Sequence, residues 1–283
     1  MTTPSSSAAI TAPLLFVGGG NMANAIIRGG LNAGVLIASR VSVAEPDAAK
    51  RAALASMGVA TFESALGGLA NAPENTAIVL AVKPQSLAVV AQEISRSLGS
   101  RLVISILAGM PGSVVREKLG GSCRVVRVMP NLPASIGHGA TAVARSAGAT
   151  DADEQLALRL FAAIGPCVER IDESLMDAFT AIAGSGPAYL FYLAEAMTKA
   201  ATSFGFEPAA AERIVRATLA GSGLLLETSE HDAASLRAAV TSKGGTTAAA
   251  TGVLEDANAM ALLQRAFDAA RARGVELGQA MSA

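Results

Sequence analysis

"FVGGGNMA", residues 16–23, decides how this chain folds. It closes an apolar run, Leu14 to Gly18, that reads as a strand. It also opens a helical stretch over residues 21–34, with Ala23, Ile26, Ile27 and Leu31 on one face. Between the two, Gly18, Gly20 and Ala23 form GxGxxA, with Gly19, Asn21 and Met22 completing the loop. At a strand-to-helix turn, glycine permits a sharp bend and the close approach of a pyrophosphate. The orphan N–H groups and positive dipole end of the helix then stabilise the anion. A glycine triplet alone is also compatible with an ordinary turn, so the surrounding pattern matters.

That pattern alternates. "VSVAE" (41–45) reads as the next strand and Asp47 starts a helix to about Met57; "TAIVLAV" (76–82), "LVISIL" (102–107) and "RVVRVM" (124–129) are further apolar runs, as in strands covered on both faces. The fold expected is α/β, a Rossmann-like doubly wound, mainly parallel sheet. Beyond Ile171 only helical periodicity remains, over 189–204, 208–227, 233–240, 246–255 and 257–281. The reading is therefore a disordered arm over 1–12, a dinucleotide-binding domain over 13–171 and an all-α domain over 172–283. A helical segment this rich in alanine and leucine is expected to cover its apolar face with a second copy of itself.

Composition narrows the function. The 283 residues suit two domains; 51% are apolar, 16% charged and 4% aromatic. Twenty-two basic residues against twenty-three acidic ones create no field for nucleic acid or an anionic membrane. Cys123 and Cys167 fit neither a zinc motif nor a disulfide framework, which implies a reducing cytoplasm, and no metal site is expected. The N-terminal residues lack the features of a signal peptide, and no apolar run approaches the length of a membrane span.

Several residues gather at the carboxyl ends of the expected strands, where open sheets bind ligands. Glu45 stands 25 residues beyond Gly20, near the acidic position of the dinucleotide fingerprint. A carboxylate there accepts bonds from a ribose diol and repels a 2′-phosphate, favouring NAD; Arg40 and Lys50 are close enough in sequence to offer that phosphate a cation. Ala81, Val82, Lys83 and Pro84 end the strand expected across the switch point. Ala108 and Gly109 are small enough to leave room for a nicotinamide ring. Asn131, between two prolines, is expected to turn its amide toward the crevice.

A second glycine cluster, "SKGGTT" (242–247), precedes another helix. Its backbone N–H groups, with Ser and Thr hydroxyls as available caps, suit either a plain helix start or a nest for a small anion. Lys243 opposes the helix dipole unless a negative group sits beside it.

Together these segments resemble the Δ1-pyrroline-5-carboxylate reductase family. The matching stretches are "FVGGGNMA", "AVKP", "SILAG", "RVMPNLP", "GSGPAY" (184–189) and the region from "SEH" (229–231) through "LRAAVTSKGGTT" (236–247), in the family's order from residue 14 to about 280. The resemblance implies NADPH or NADH as hydride donor and an intertwined homodimer, with a higher oligomer of dimers possible, whose helical domains build the pocket. It further implies Ser242, Gly244, Gly245 and Thr246 around the substrate carboxylate, Thr247 near the ring nitrogen, Glu230 close by, and "GSGPAY" as a helix start beside the nicotinamide. Three positions depart from the family: Leu132 replaces its usual threonine, Lys243 a proline, and Asp232 the proline after His231.

The only histidines are His138, read as a loop or capping residue, and His231, read as a helix cap. Scant acid–base machinery suits a cyclic imine, which protonates readily and then accepts hydride. Two rivals stand beside this reading: a β-hydroxyacid reductase using Lys199, and a dinucleotide-sensing oligomer without turnover.

Overall fold

The computed structural model describes residues 9–146 and 148–282. The chain forms two compact units, one running to Ser185 and resuming at Ala270, the other Gly186–Ala269. The first is built on an eight-stranded sheet: β1 (Leu14–Val17), β2 (Val41–Ala44), β3 (Ala60–Phe62), β4 (Ala77–Leu80), β5 (Leu102–Ser105), β6 (Arg124–Met129), β7 (Ala140–Arg145) and β8 (Cys167–Arg170). Their order is β3-β2-β1-β4-β5-β6-β7-β8, with every neighbouring pair parallel except β6 and β7. Order therefore reverses between β1 and β4, the switch point of a doubly wound sheet.

Six helices cover the sheet: α1 (Asn21–Asn32), α2 (Ala48–Ala55), α3 (Ala65–Ala70), α4 (Leu87–Leu98), α5 (Gly112–Lys118) and α6 (Asp151–Ala162). All four residues of β1 are buried, on alternate faces. Leu14 and Phe16 pack with Ile26 and Ile27 of α1 and Phe161 of α6. Leu15 and Val17 pack with Leu69 of α3, Ile94 of α4 and Val115 of α5. This two-sided burial explains the uninterrupted apolar runs of the inner strands. Asp47, Ser64 and Thr150 start α2, α3 and α6 by accepting the N–H of Lys50, Gly67 and Asp153 at 3.0, 3.1 and 3.2 Å.

One boundary read from the sequence is corrected, and a second is drawn differently by the compact units. The arm placed over 1–12 is packed at its end: Ile10 is buried beside Leu14 and Val35, and its N–H donates to the Val35 carbonyl at 2.8 Å. Residues 1–8 lie outside the described residues. The border placed between 171 and 172 differs from the division into compact units, in which residues 172–185 group with the sheet. These include α7 (Met176–Phe179) and the π-helical segment Thr180–Gly184. Met176 is buried against Ala142 and Ala144. Arg127 on β6, its side chain only 6% exposed, pairs with Asp177 at 3.4 Å and lies 3.7 Å from Glu173. A buried guanidinium left without those carboxylates would be costly, so the ion pairs fix the segment to β6.

The second unit holds α8 (Gly186–Ser203), α9 (Pro208–Thr228), α10 (Ala233–Ala239) and α11 (Thr246–Asp256), together with the start of α12 (Ala259–Ser282). The helix α8 packs along α9, and the Tyr189 and Phe267 rings lie 5.2 Å apart at 45°. Much of the unit's apolar surface is exposed, including Phe191, Tyr192, Leu224, Leu254 and Leu262.

Ion pairs from three strands reach α6, Arg145 to Asp151, Arg170 to Glu154 and, with the most hydrogen bonds, Arg124 to Asp153. Arg124 donates to Asp153 through Nε at 2.9 Å and Nη2 at 3.0 Å, while Asp153 also accepts from the backbone and hydroxyl of Thr150. Burial pushes the Asp153 carboxyl up, but the bonds from Arg124 and Thr150 outweigh it and hold the group below the usual carboxylate range. A depressed folded value stabilises above the unfolded pKa of about 3.9, and that stabilisation is lost as pH falls through the folded value. Asp153→Asn is accordingly expected to cost about 1–3 kcal/mol at neutral pH. In urea titrations its deficit should shrink progressively below about pH 4; a deficit independent of pH would contradict the ion pair.

Candidate active site

The glycine loop lies at the switch point. Gly18 has φ +101°, and a Cβ there would stand 2.6 Å from the Ala81 carbonyl oxygen and 3.0 Å from Val82 Cγ1. Only glycine fits that conformation and that approach. Gly18 N–H donates to Ala44 and Ala81 N–H to Val17, at 2.8 and 2.9 Å, so the ends of β1, β2 and β4 are tied at one point. The structure thus brings the residues of "GGG" and "AVKP" together. Gly20 is the N-cap of α1, in extended backbone, with no side-chain cap and open space where a Cβ would be. The orphan N–H groups of the first turn of α1 are therefore left for an incoming anion, which is what a dinucleotide diphosphate requires. Asn21 and Lys83 are exposed and Met22 is half-buried; Pro84 opens a 3₁₀ turn over Pro84–Ser86.

Glu45 is buried directly after β2. Its Oε2 accepts the Gly19 N–H at 2.7 Å and its Oε1 the Asp47 N–H at 3.0 Å. The carboxylate stands against the glycine loop itself.

Three expectations change here. Asn131 does not turn its amide to a crevice: it is buried, Nδ2 donating to the Ala183 carbonyl at 3.1 Å and Oδ1 accepting the Ala140 N–H at 3.0 Å. A rigid turn between β6 and β7 uses that side chain as a brace. Gly109 does not leave space beside β5. Its φ is +66°, it is buried, and its missing Cβ would meet Leu277 Cβ of α12 at 3.2 Å, while Ala108 stays exposed. His231 does not cap α10; it is exposed, and Asp232 accepts the Ser235 N–H at 2.8 Å instead. Asp232, a departure from the family pattern, thus has a structural task.

Sequence reasoning passed over the support of the loop after β5. Glu173 Oε1 accepts the Gly112 N–H at 2.7 Å at the start of α5 and belongs to the same cluster as Arg127 and Asp177. The available signal was Arg127, an arginine in the middle of the run "RVVRVM".

In the second unit, α10 ends at Ala239 and a tight turn leads into α11. Gly244 has φ +72°, and Gly245 N–H donates to the Ser242 carbonyl at 3.0 Å. Gly245 is the extended N-cap of α11, and no side chain caps it, so the Ser and Thr caps held available from sequence are not used. A Cβ at Gly245 would overlap Ser242 Oγ. Ser242, Lys243, Gly244 and Thr246 are exposed, and Thr247 is half-buried. Glu230 is exposed on the turn before α10, beside Ser229, whose Oγ accepts the His231 N–H at 3.0 Å. Lys199 is an exposed lysine of α8.

A Rossmann-type sheet with an open glycine loop at its switch point, joined to a helical unit with a second uncapped nest, defines an oxidoreductase of the nicotinamide-dinucleotide class. The profile for NADP oxidoreductase, coenzyme F420-dependent, matches residues 13–109, and that for pyrroline-5-carboxylate reductase dimerisation matches residues 173–277. A pyrroline-5-carboxylate reductase of Pseudomonas aeruginosa is 36% identical over 95% of this chain and 98% of its own length. One from Arabidopsis thaliana is 32% identical over 93% and 95%. The structure of the Coxiella burnetii reductase superposes with TM-score 0.85 at 34% identity, covering 95% of this chain and 99% of that one. The Plasmodium falciparum enzyme, solved with NADP bound, gives 0.82 at 26% identity over 95% and 99%. The chain belongs to the pyrroline-5-carboxylate reductase family.

Gly18→Ala is expected to raise the dissociation constant for NAD(P)H about tenfold or more, since its Cβ, 2.6 Å from the Ala81 carbonyl oxygen, must push the loop out of the shape that meets the diphosphate, and about 1.4 kcal/mol of lost contact is tenfold. Calorimetric titration on protein whose circular dichroism is unchanged reads this directly; unaltered binding would move the cofactor away from the loop.

Proposed function

We propose that this chain reduces the cyclic imine Δ1-pyrroline-5-carboxylate to L-proline with NADH or NADPH, the final step of proline biosynthesis. The observation that carries the assignment of roles is the α11 start, where Gly244 and Gly245 hold open a helix N-terminus without a capping side chain. Such a terminus binds a carboxylate through backbone N–H groups and the helix dipole. Ser242, Gly244, Gly245 and Thr246 are assigned to the substrate carboxylate, and the Ser242 hydroxyl, exposed beside Gly245, adds a donor. Glu230, on the neighbouring turn, is assigned to the pocket wall.

Bound in the first unit, with its diphosphate on the α1 start, the reduced dinucleotide supplies the hydride. Gly18, Gly19, Gly20, Asn21 and Met22 form the diphosphate seat; Ala81, Val82, Lys83 and Pro84, with the exposed Ala108, border it. Asn131 shapes the site through its brace rather than by contact. Thr247 is the group assigned to the reacting centre: no hydrogen-bond partner occupies its hydroxyl among the described residues, so it is free to hold a proton at the ring nitrogen. A protonated imine is already electrophilic, so alignment and exclusion of water do most of the work.

We further infer an intertwined homodimer, from the apolar side chains exposed on the second unit and the match to a dimerisation profile. Surfaces of that kind are covered by another copy in soluble proteins. Light scattering should give at least twice the 28.3 kDa chain mass, and Leu254→Glu should lower it; a monomeric wild type would oppose the inference.

Two variants separate the roles at α11. Thr247→Ala is expected to reduce kcat/KM for the imino acid by roughly 10- to 1000-fold while NAD(P)H binding survives. Gly245→Val, whose side chain would collide with Ser242, should chiefly raise KM. Absorbance of the reduced cofactor follows both, and a kcat/KM untouched by Thr247→Ala would sink the assignment.

A further inference from the structure

NADH and NADPH differ by one phosphate on the adenosine ribose, and an acidic residue at the end of the second strand is where such a fold reads that ribose. We propose that Glu45 makes this chain prefer NADH over NADPH. The inference rests on the reductase reading only in taking the first unit as the cofactor unit.

Glu45 is pinned. Its two oxygens accept the Gly19 and Asp47 N–H groups at 2.7 and 3.0 Å, and its side chain is 6% exposed as a residue. Gly19 is wedged between it and α2: a Cβ on Gly19 would meet Leu54 Cδ1 at 2.6 Å and Glu45 Cβ at 3.1 Å. To swing aside for a 2′-phosphate, Glu45 would have to release the buried Gly19 N–H, leaving a donor unsatisfied. In place, each carboxylate oxygen keeps a second lone pair that a ribose hydroxyl can use. A 2′-phosphate offers no proton to share there and brings close to two further negative charges against a fixed one. Asp47 adds a second carboxylate two residues on.

The cations that could reverse this are badly placed or engaged. Arg40 precedes β2 and Glu45 follows it, so the strand's four residues, about 13 Å, separate them at opposite ends of that strand. Arg51 Nη1 donates to the Glu45 and Pro46 carbonyls at 2.8 and 2.6 Å, which fastens its guanidinium to the turn it would have to leave. Lys50 sits in the first turn of α2, exposed. A flexible, hydrated ammonium there is a weak counterweight to a buried carboxylate.

The test is a titration of the full-length protein with NADH and with NADPH, followed by nicotinamide fluorescence; the chain has no tryptophan to interfere. NADH should bind tighter by roughly 10- to 100-fold, the scale of one like-charge contact at a partly buried site. Glu45→Gln keeps the side chain's shape and removes its charge, and should bring the two constants together by strengthening NADPH. If that variant melts early, the wild-type ratio still decides. Equal or tighter binding of NADPH by the wild type, or a ratio unmoved by Glu45→Gln in folded protein, overturns the proposal. Turnover of pyrroline-5-carboxylate is measured separately: the expected binding ratio without proline formation would leave the coenzyme assignment standing and remove the reductase reading. Faster proline formation with NADPH at equal subsaturating concentrations would do the reverse.

Discussion

The architecture turns on one backbone contact, where the end of β1 meets the end of β4. Gly18 brings its Cα so close to the Ala81 carbonyl that no side chain fits between them. That approach lets the chain leave β1, turn within three residues and present the start of α1 at the switch point. Any bulk at residue 18 pushes α1 off the sheet, and with it Ile26 and Ile27, which fill the layer shared with Phe16 and Phe161. Binding loop and core are therefore one constraint; the residue that makes room for an anion also sets how the first helix packs.

Helix starts divide by use. In α2, α3, α6 and α10 the first turn is closed by a side chain from Asp47, Ser64, Thr150 or Asp232. Distant carboxylates serve others: Glu93 accepts the Ala65 N–H of α3 at 3.1 Å and Glu173 the Gly112 N–H of α5 at 2.7 Å. The starts of α1 and α11, like those of α4 and α9, have no side-chain cap, but they alone among the N-caps described carry glycine, which leaves the space in front of the N–H groups without a side chain. An oxygen supplied locally would stabilise those helices at the cost of occupying the place a ligand anion takes. Glycine at the N-caps assigned to diphosphate and carboxylate keeps that place open, which is the trade expected of binding sites.

How much of this could be read from sequence depended on whether the signal was local. The inner strands were legible because burial on both faces leaves unbroken apolar runs, and α8 to α12 because their periodicity is long. The strands β3, β7 and β8 were not: "ATF" is a three-residue edge strand, "ATAVAR" is built from small residues, and β8 carries Glu169 and Arg170 on an exposed edge. The glycine clusters were legible as chemistry because their residue types force a backbone. Long-range partners were hidden, since nothing near Gly109 in sequence announces Leu277, nothing near Arg127 announces Asp177, and an asparagine between prolines looks the same whether it faces a ligand or braces a turn. Spacing located Glu45; only packing revealed that its carboxylate is tied to Gly19.

Lys243 illustrates how such local misfits carry information. A lysine just ahead of a helix N-terminus faces the positive end of the dipole, an unfavourable placement of a few tenths of a kcal/mol up to about one. Here it stands two residues before the uncapped N-cap Gly245, so an ammonium, the uncapped N–H groups and the positive end of the dipole belong to the same short exposed segment. In isolation that arrangement is frustrated. It becomes favourable once a carboxylate settles among them, because each source then interacts with the opposite charge. The family's usual proline would stiffen this turn; a lysine leaves it more mobile but enlarges its attraction for an anion. The frustration of the free state therefore adds to the affinity of the bound one, and the substitution alters how the proposed carboxylate seat works without removing what it needs.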